Sequence, residues 1–297
     1  MCASDLCFEA ANKLLDDMNI DRRSIDLLIF LSQTPDYHQP STAPLLQDRL
    51  NLPKTTGAFD INMACSGYVY GLSTAFSYAS QIGIDNVLLL VGETLSKVTS
   101  LKDRATSLLF GDGAAATLIE KDKRSGKSYF SLNSDGSGEE MLKIPAGGFR
   151  RPSSSITIME KRYEDGSLRT EEQFFMDGME VFNFTMREVP VDVNNILKFS
   201  GNTLENIDYV VFHQANKFMT DFFAKKLKIP LVKVPYSMEK YGNTSGVSIP
   251  LTIVSELKHE LQNNNRRLLL IGFGAGFSWA VTVLDFSDTY VTDIVEV

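Results

Sequence analysis

The feature that most limits what this chain can become is that it is written twice. Ile25-Asp26-Leu27-Leu28-Ile29-Phe30 is matched by Ile207-Asp208-Tyr209-Val210-Val211-Phe212 at an offset of 182. Ser66-Gly67, with Leu72 beyond, is matched by Ser245-Gly246, with Leu251 beyond, at an offset of 179. Leu88-Leu89-Leu90-Val91-Gly92 is matched by Leu268-Leu269-Leu270-Ile271-Gly272 at 180. Apolar runs resemble one another by chance, but three matches in one order and at nearly one offset mark a duplication. Such a chain is expected to fold as two similar halves, here 1–164 and 165–297.

Within each half, helices and apolar strands alternate. Leu6, Ala10, Leu14 and Met18 recur at helical spacing, with Ser4 as the expected N-cap. Short β-rich runs at 25–31, 57–62, 87–91 and 114–120 suit strands covered on both faces, as do 208–213 and 267–273. Residues 41–50, 65–80 and 246–261 read as helices. This alternation predicts an α/β fold with helices on both faces of each sheet. The polar, Gly/Ser-rich stretch 121–175 reads as a hairpin or excursion between the halves.

The bulk numbers exclude several classes. With 297 residues, 43% hydrophobic, the chain can bury a large core, yet it has no apolar stretch long enough to span a membrane. The start, MCASDLCFEAANKLL, lacks the basic and apolar segments of a secretory signal. A net charge of −8 argues against nucleic acid as a partner. Cysteine occurs only at 2, 7 and 65, so a disulfide framework is not expected and a cytoplasmic setting is.

Chemistry can collect at three places. Cys65 lies in Asn62-Met63-Ala64-Cys65-Ser66-Gly67, where a strand passes into a helix. A helix N-terminus there would favour the thiolate, although most lone cysteines are simply small buried hydrophobes. Of the three histidines, His38 sits in a loop and His259 in a polar helix end, whereas His213 ends a strand and is followed by Gln214-Ala215-Asn216. The carboxyl ends of strands in α/β sheets are where ligands gather. Asn243, in Gly242-Asn243-Thr244-Ser245, occupies nearly the place in the second half that Cys65 holds in the first. It offers an amide donor, or else it merely makes the turn. After the last apolar strand, Gly272-Phe273-Gly274-Ala275-Gly276 exposes backbone N–H groups of the kind an oxyanion hole needs. No metal-binding pattern occurs.

Taken together, Ala-Cys-Ser-Gly-Tyr at Cys65, His-Gln-Ala-Asn at His213 and Gly-Asn-Thr-Ser at Asn243 resemble the Cys–His–Asn triad of the β-ketoacyl-[acyl-carrier-protein] synthase III family. Leu109-Phe110-Gly111-Asp112-Gly113-Ala114 and Phe273 to Trp279 resemble further segments of it, in the same order. The resemblance implies a thiolase-like duplicated αβαβα sandwich acting as a homodimer. It implies an acyltransferase in which Cys65 takes an acyl group from acyl-CoA and condenses it with malonyl-acyl carrier protein, with loss of carbon dioxide. His213 and Asn243 would hold the enolate oxygen, and the backbone N–H groups of Cys65 and Ala275 the thioester oxygen. No metal or redox cofactor is implied. Acyl transfer to a small amine or hydroxyl without decarboxylation, and a silent partner subunit, are the alternatives.

The acidic carrier protein needs a basic surface, and Lys217, Lys225, Lys226, Lys228 and Lys233 stand against a single acid, Asp221, between 217 and 233. Lys217, Lys225 and Lys226 are the leading docking candidates. The sequence departs from the family at Phe218, where relatives often carry Arg, and at Ala275, where they carry Gly. It also begins at the helix that follows the family's opening strand and CoA-binding arm, so a longer natural protein or weak CoA binding is expected.

Overall fold

The computed structural model describes residues 1–122, 126–262 and 264–297; Ser125 and its two predecessors in the predicted excursion lie outside the described residues. The chain opens with α1 (Ala3–Asp17), β1 (Leu27–Leu31), α2 (Thr42–Arg49), β2 (Gly57–Ile61), α3 (Gly67–Ala79), β3 (Asn86–Glu93) and β4 (Gly113–Glu120). Next come β5 (Tyr129–Ser134) and the short strands β6 (Leu142–Lys143), β7 (Lys161–Arg162), β8 (Leu168–Arg169) and β9 (Phe175–Met176). The remainder is α4 (Gly178–Ser200), β10 (Tyr209–Phe212), α5 (Lys217–Leu227), α6 (Met238–Tyr241), α7 (Ser248–Leu261), β11 (Arg266–Gly274) and β12 (Ser278–Phe286).

Two four-stranded sheets result, ordered β2-β1-β3-β4 and β10-β11-β12-β5. In both, parallel strands precede an antiparallel one: β1 runs parallel to β3 and β10 to β11, while β4 and β12 return antiparallel. The period of two along each strand sorts side chains into layers. Leu27, Ile29 and Leu31 face inward with Leu268 and Leu270, packed against α3 and α7 between the sheets. Their neighbours Leu28 and Phe30 face outward against α1 and α2, and Leu269 and Ile271 against α4 and α5. Both faces of both sheets are therefore covered, which makes the five-layer αβαβα sandwich. Truncating a side chain such as Leu270, fully buried in the middle layer, costs about 2–5 kcal/mol.

Three expectations are corrected. The cap of α1 is not Ser4: the Asp5 carboxylate accepts from Cys2 N at 2.8 Å, and Ser4 instead donates to Asp36. The division near residue 165 does not separate the sheets, because β5 pairs with β12 of the second sheet. Nor is 121–175 only an excursion, since it supplies that strand. The matching flank of β4 has no strand beside it among the described residues; a groove of about 1450 Å³ runs there between α1, α3 and the C-terminal residues 287–297.

Candidate active site

Cys65 lies between β2 and α3, two residues ahead of the first helical residue. The turn closes with Gly67 N donating to Ala64 O at 2.7 Å. The thiol is shifted in the direction opposite to the one a helix N-terminus would favour. Burial pushes it up to about 12, and the nearby Glu93 carboxylate pushes in the same direction. Two hydrogen bonds oppose this, from the Ser245 hydroxyl and from Cys65's own backbone N–H. The Ser245 oxygen stands 3.3 Å from the sulfur, and the two residues are 180 apart, the spacing of the repeat itself.

His213 follows β10 directly, and its backbone N–H extends the ladder to Ile271 O at 2.7 Å. Its Nδ1 lies 2.7 Å from the Ser248 hydroxyl at the start of α7. Gln214 N already donates to that hydroxyl oxygen, so the serine's own hydrogen is available for Nδ1, which leaves Nε2 as the N–H of a neutral ring. Burial pushes the imidazole down to about 3, against a backbone hydrogen bond with Ser245. The ring is thus uncharged at neutral pH. The following Gln214 is structural: its amide nitrogen donates to Phe212 O and its oxygen accepts from Ser237 N.

Asn243 is held by its backbone. Asn243 N donates to Leu109 O at 2.8 Å, and Gly111 N donates to Asn243 O at 3.1 Å. This approach explains Gly111, because a Cβ there would collide with Tyr241 O. The amide orientation is also fixed. Ser245 N can only donate, so the atom it meets at 2.9 Å is Oδ1 and the –NH2 group faces away. That group donates to nothing among the described residues.

Cys65, His213 and Asn243 line one narrow cavity of about 70 Å³, with Gln33, Ser245, Phe110 and Ala275. The first half thus contributes the sulfur and the second half the imidazole and the amide. Gly274 sets the seam: a Cβ there would lie 2.7 Å from Cys65 Cβ and 2.9 Å from Cys65 N. Ala275, next in the chain, borders the cavity.

Sequence reasoning missed Gln33, Ser245, Ser248 and Glu93. The last is fully buried at the end of β3, where an acid closing an apolar strand is itself a signal. Burial raises its carboxyl to about 8. The lysine group does not stay together. Lys226 donates to Met186 O at 2.5 Å and Lys233 to Ile207 O at 2.5 Å, so both ammonium groups are committed to backbone carbonyls. Lys217 and Lys225 are exposed, with Lys217 3.7 Å from Asp221 and over the Tyr236 ring.

Comparison with known proteins gives one consistent result. The family described as 3-oxoacyl-[acyl-carrier-protein (ACP)] synthase III matches residues 59–136, and its C-terminal counterpart matches residues 197–286. A Campylobacter jejuni protein is 40% identical over 294 residues, covering 99% of this chain and 82% of the relative. The β-ketoacyl-[acyl-carrier-protein] synthase III of Caldanaerobacter subterraneus is 37% identical over 96% of this chain and 83% of its own length. A crystal structure of 3-oxoacyl-(acyl-carrier protein) synthase from Burkholderia xenovorans superposes with a TM-score of 0.92 at 40% identity, covering 100% of this chain and 83% of that one.

Proposed function

Because this chain belongs to the 3-oxoacyl-[acyl-carrier-protein] synthase III family, we propose that Cys65 is its nucleophile and that His213 and Asn243 are its enolate donors. The enzyme is an acyltransferase of fatty acid biosynthesis that condenses an acyl group from acyl-CoA with malonyl-acyl carrier protein. The observation that carries the residue roles is the shared cavity, which Cys65, a neutral His213 and Asn243 line together.

In the loading half, the Cys65 sulfur attacks the thioester carbonyl of acyl-CoA. The carbonyl oxygen takes the charge, and the backbone N–H groups of Cys65 and Ala275 receive it. The carbon–sulfur bond to CoA then breaks, and CoA leaves with the proton lost by the thiol. In the condensing half, malonyl-carrier protein loses carbon dioxide and the bond's electron pair becomes an enolate. His213 Nε2–H and Asn243 Nδ2–H donate to the enolate oxygen. An uncharged imidazole suits this role, since negative charge on that oxygen grows only as the carboxylate leaves. The enolate carbon attacks the acyl-cysteine, and the Cys65 thiolate departs and takes a proton from solvent. These steps call for no metal or redox cofactor.

Lys217 and Lys225 form the proposed carrier contact. The natural assembly is proposed as a homodimer, favoured by exposed apolar side chains at Leu101, Leu108, Phe149, Ile156 and Met159. Three free cysteines favour a cytoplasmic location.

The test is intact-mass measurement after incubation with a panel of acyl-CoAs, with Cys65→Ala as control, followed by labelled carbon dioxide release from malonyl-carrier protein. One adduct per chain, absent from the variant, is expected. Adducts that persist in the variant overturn the assignment, and transfer without carbon dioxide overturns the condensing half.

A further inference from the structure

Behind Cys65 a chain of hydrogen bonds runs to a buried acid that the reaction just described does not use. Glu93 accepts from Gln33 N at 3.2 Å, from Gln33 Nε2 at 3.3 Å and from the Thr34 hydroxyl at 3.1 Å. Gln33 Nε2 is the amide atom turned toward the carboxyl. The same Nε2 carries a second hydrogen, and Ser245 Oγ accepts it at 2.8 Å. A hydroxyl has one hydrogen of its own. With Gln33 donating to the oxygen, that hydrogen is left for the other neighbour, the Cys65 sulfur at 3.3 Å.

Ser245 occupies this position at a cost. Its φ is 52°, in the left-handed region that a residue with a Cβ seldom adopts. Its N–H is tied to Asn243 Oδ1, so the same strained residue fixes the amide and reaches the sulfur. The side chain is fully buried, which removes water as a competing partner.

We propose that Ser245 is a hydrogen-bond donor to the Cys65 sulfur, stabilising the thiolate, and that Gln33 and Glu93 are positioning residues that keep its hydroxyl turned that way. The proposal rests on Cys65 being the nucleophile. Its role is to offset, within the site, the burial that disfavours the thiolate. Only the thiolate attacks, so a donor that favours it raises the rate of loading.

The experiment is alkylation of Cys65 by iodoacetamide, followed by peptide-resolved mass spectrometry from pH 7 to 9.5. Ser245→Gly removes the hydroxyl while suiting the positive φ, so the variant keeps its fold, which thermal unfolding verifies. Alkylation is expected to slow by about tenfold at each pH, the equivalent of one unit in the thiol pKa. Gln33→Leu is expected to slow it by about threefold in the wild-type background, and not at all in the Ser245→Gly background. Glu93→Gln falls between wild type and Gln33→Leu.

Wild-type alkylation by Ser245→Gly would overturn the donor. An undiminished Gln33→Leu effect without the serine hydroxyl would overturn the relay. Neither readout requires acyl-CoA. Cys65 could therefore fail to load while the relay still registers, or load normally while the relay is refuted.

Discussion

Replacing Gly274 by alanine tests whether backbone contact sets the geometry of the site. The added methyl would stand 2.7 Å from Cys65 Cβ and 2.9 Å from Cys65 N, whereas ordinary contact begins at 3.4 Å. Neither atom can rotate away, so β11 and the Cys65 turn must separate by about 0.7 Å. Overpacking of this kind costs about 1–3 kcal/mol of stability. Misplacement by about 1 Å costs on the order of a hundredfold in rate, so 0.7 Å is worth roughly thirtyfold. The loss should fall on loading, because the shift parts the sulfur from the N–H beside it. Rapid-quench intact mass with acyl-CoA measures loading, and labelled carbon dioxide from malonyl-carrier protein measures decarboxylation. Gly111→Ala is the reciprocal perturbation: its methyl collides with Tyr241 O and displaces the Asn243 turn. It should depress carbon dioxide release by more than tenfold and loading by much less. If Gly274→Ala loads at the wild-type rate with an unchanged Tm, the reasoning fails. If both variants depress both steps equally, the two halves of the site are not separable as described.

His213 titrates near 3 when folded and about 6.5 when unfolded, so the unfolded chain binds the extra proton between those values. Its contribution is present above about pH 6.5 and is lost as pH falls toward 3, so His213→Gln should flatten the acid limb of Tm against pH. Arg169 and Asp103 form a buried pair, with Arg169 also over the Tyr163 ring at 3.9 Å. Arg169→Leu strands the carboxylate and should lower stability by about 3–5 kcal/mol in urea titrations, part of which Asp103→Leu restores. Charge reversal at Lys217 and Lys225 should raise the KM for malonyl-carrier protein and leave acyl-CoA loading within twofold, whereas Lys226→Ala should register in Tm, since that ammonium holds Met186 O.

The layers were legible because each central strand is apolar on both faces, and burial on both sides leaves that mark in any sequence. That Cys65, His213 and Asn243 would line one cavity was legible because polar or ionisable side chains at strand and turn ends stand out against apolar surroundings, and the family resemblance tied them together. β5 was not, because Tyr129–Ser134 sits within a polar, Gly/Ser-rich stretch and no periodicity tells a strand which sheet to join. The sign of the thiol's shift was not legible either. Position relative to a helix can be read from sequence, but the depth of burial that outweighs it cannot. Which lysines keep a free ammonium was hidden for a related reason: carbonyls of distant segments bind those of Lys226 and Lys233.

The stitch that β5 makes across the molecule bears on how the protein is born. β1 through β4 leave the ribosome ahead of β5, and that sheet can close without it. β5 emerges next, yet its one ladder partner among the described residues, β12, follows only after α4 to β11. While the segment from β6 to β11 is made, this strand waits with its hydrogen-bonding groups unclaimed. Cutting the gene between β4 and β5, rather than midway, would yield two pieces each owning a whole sheet.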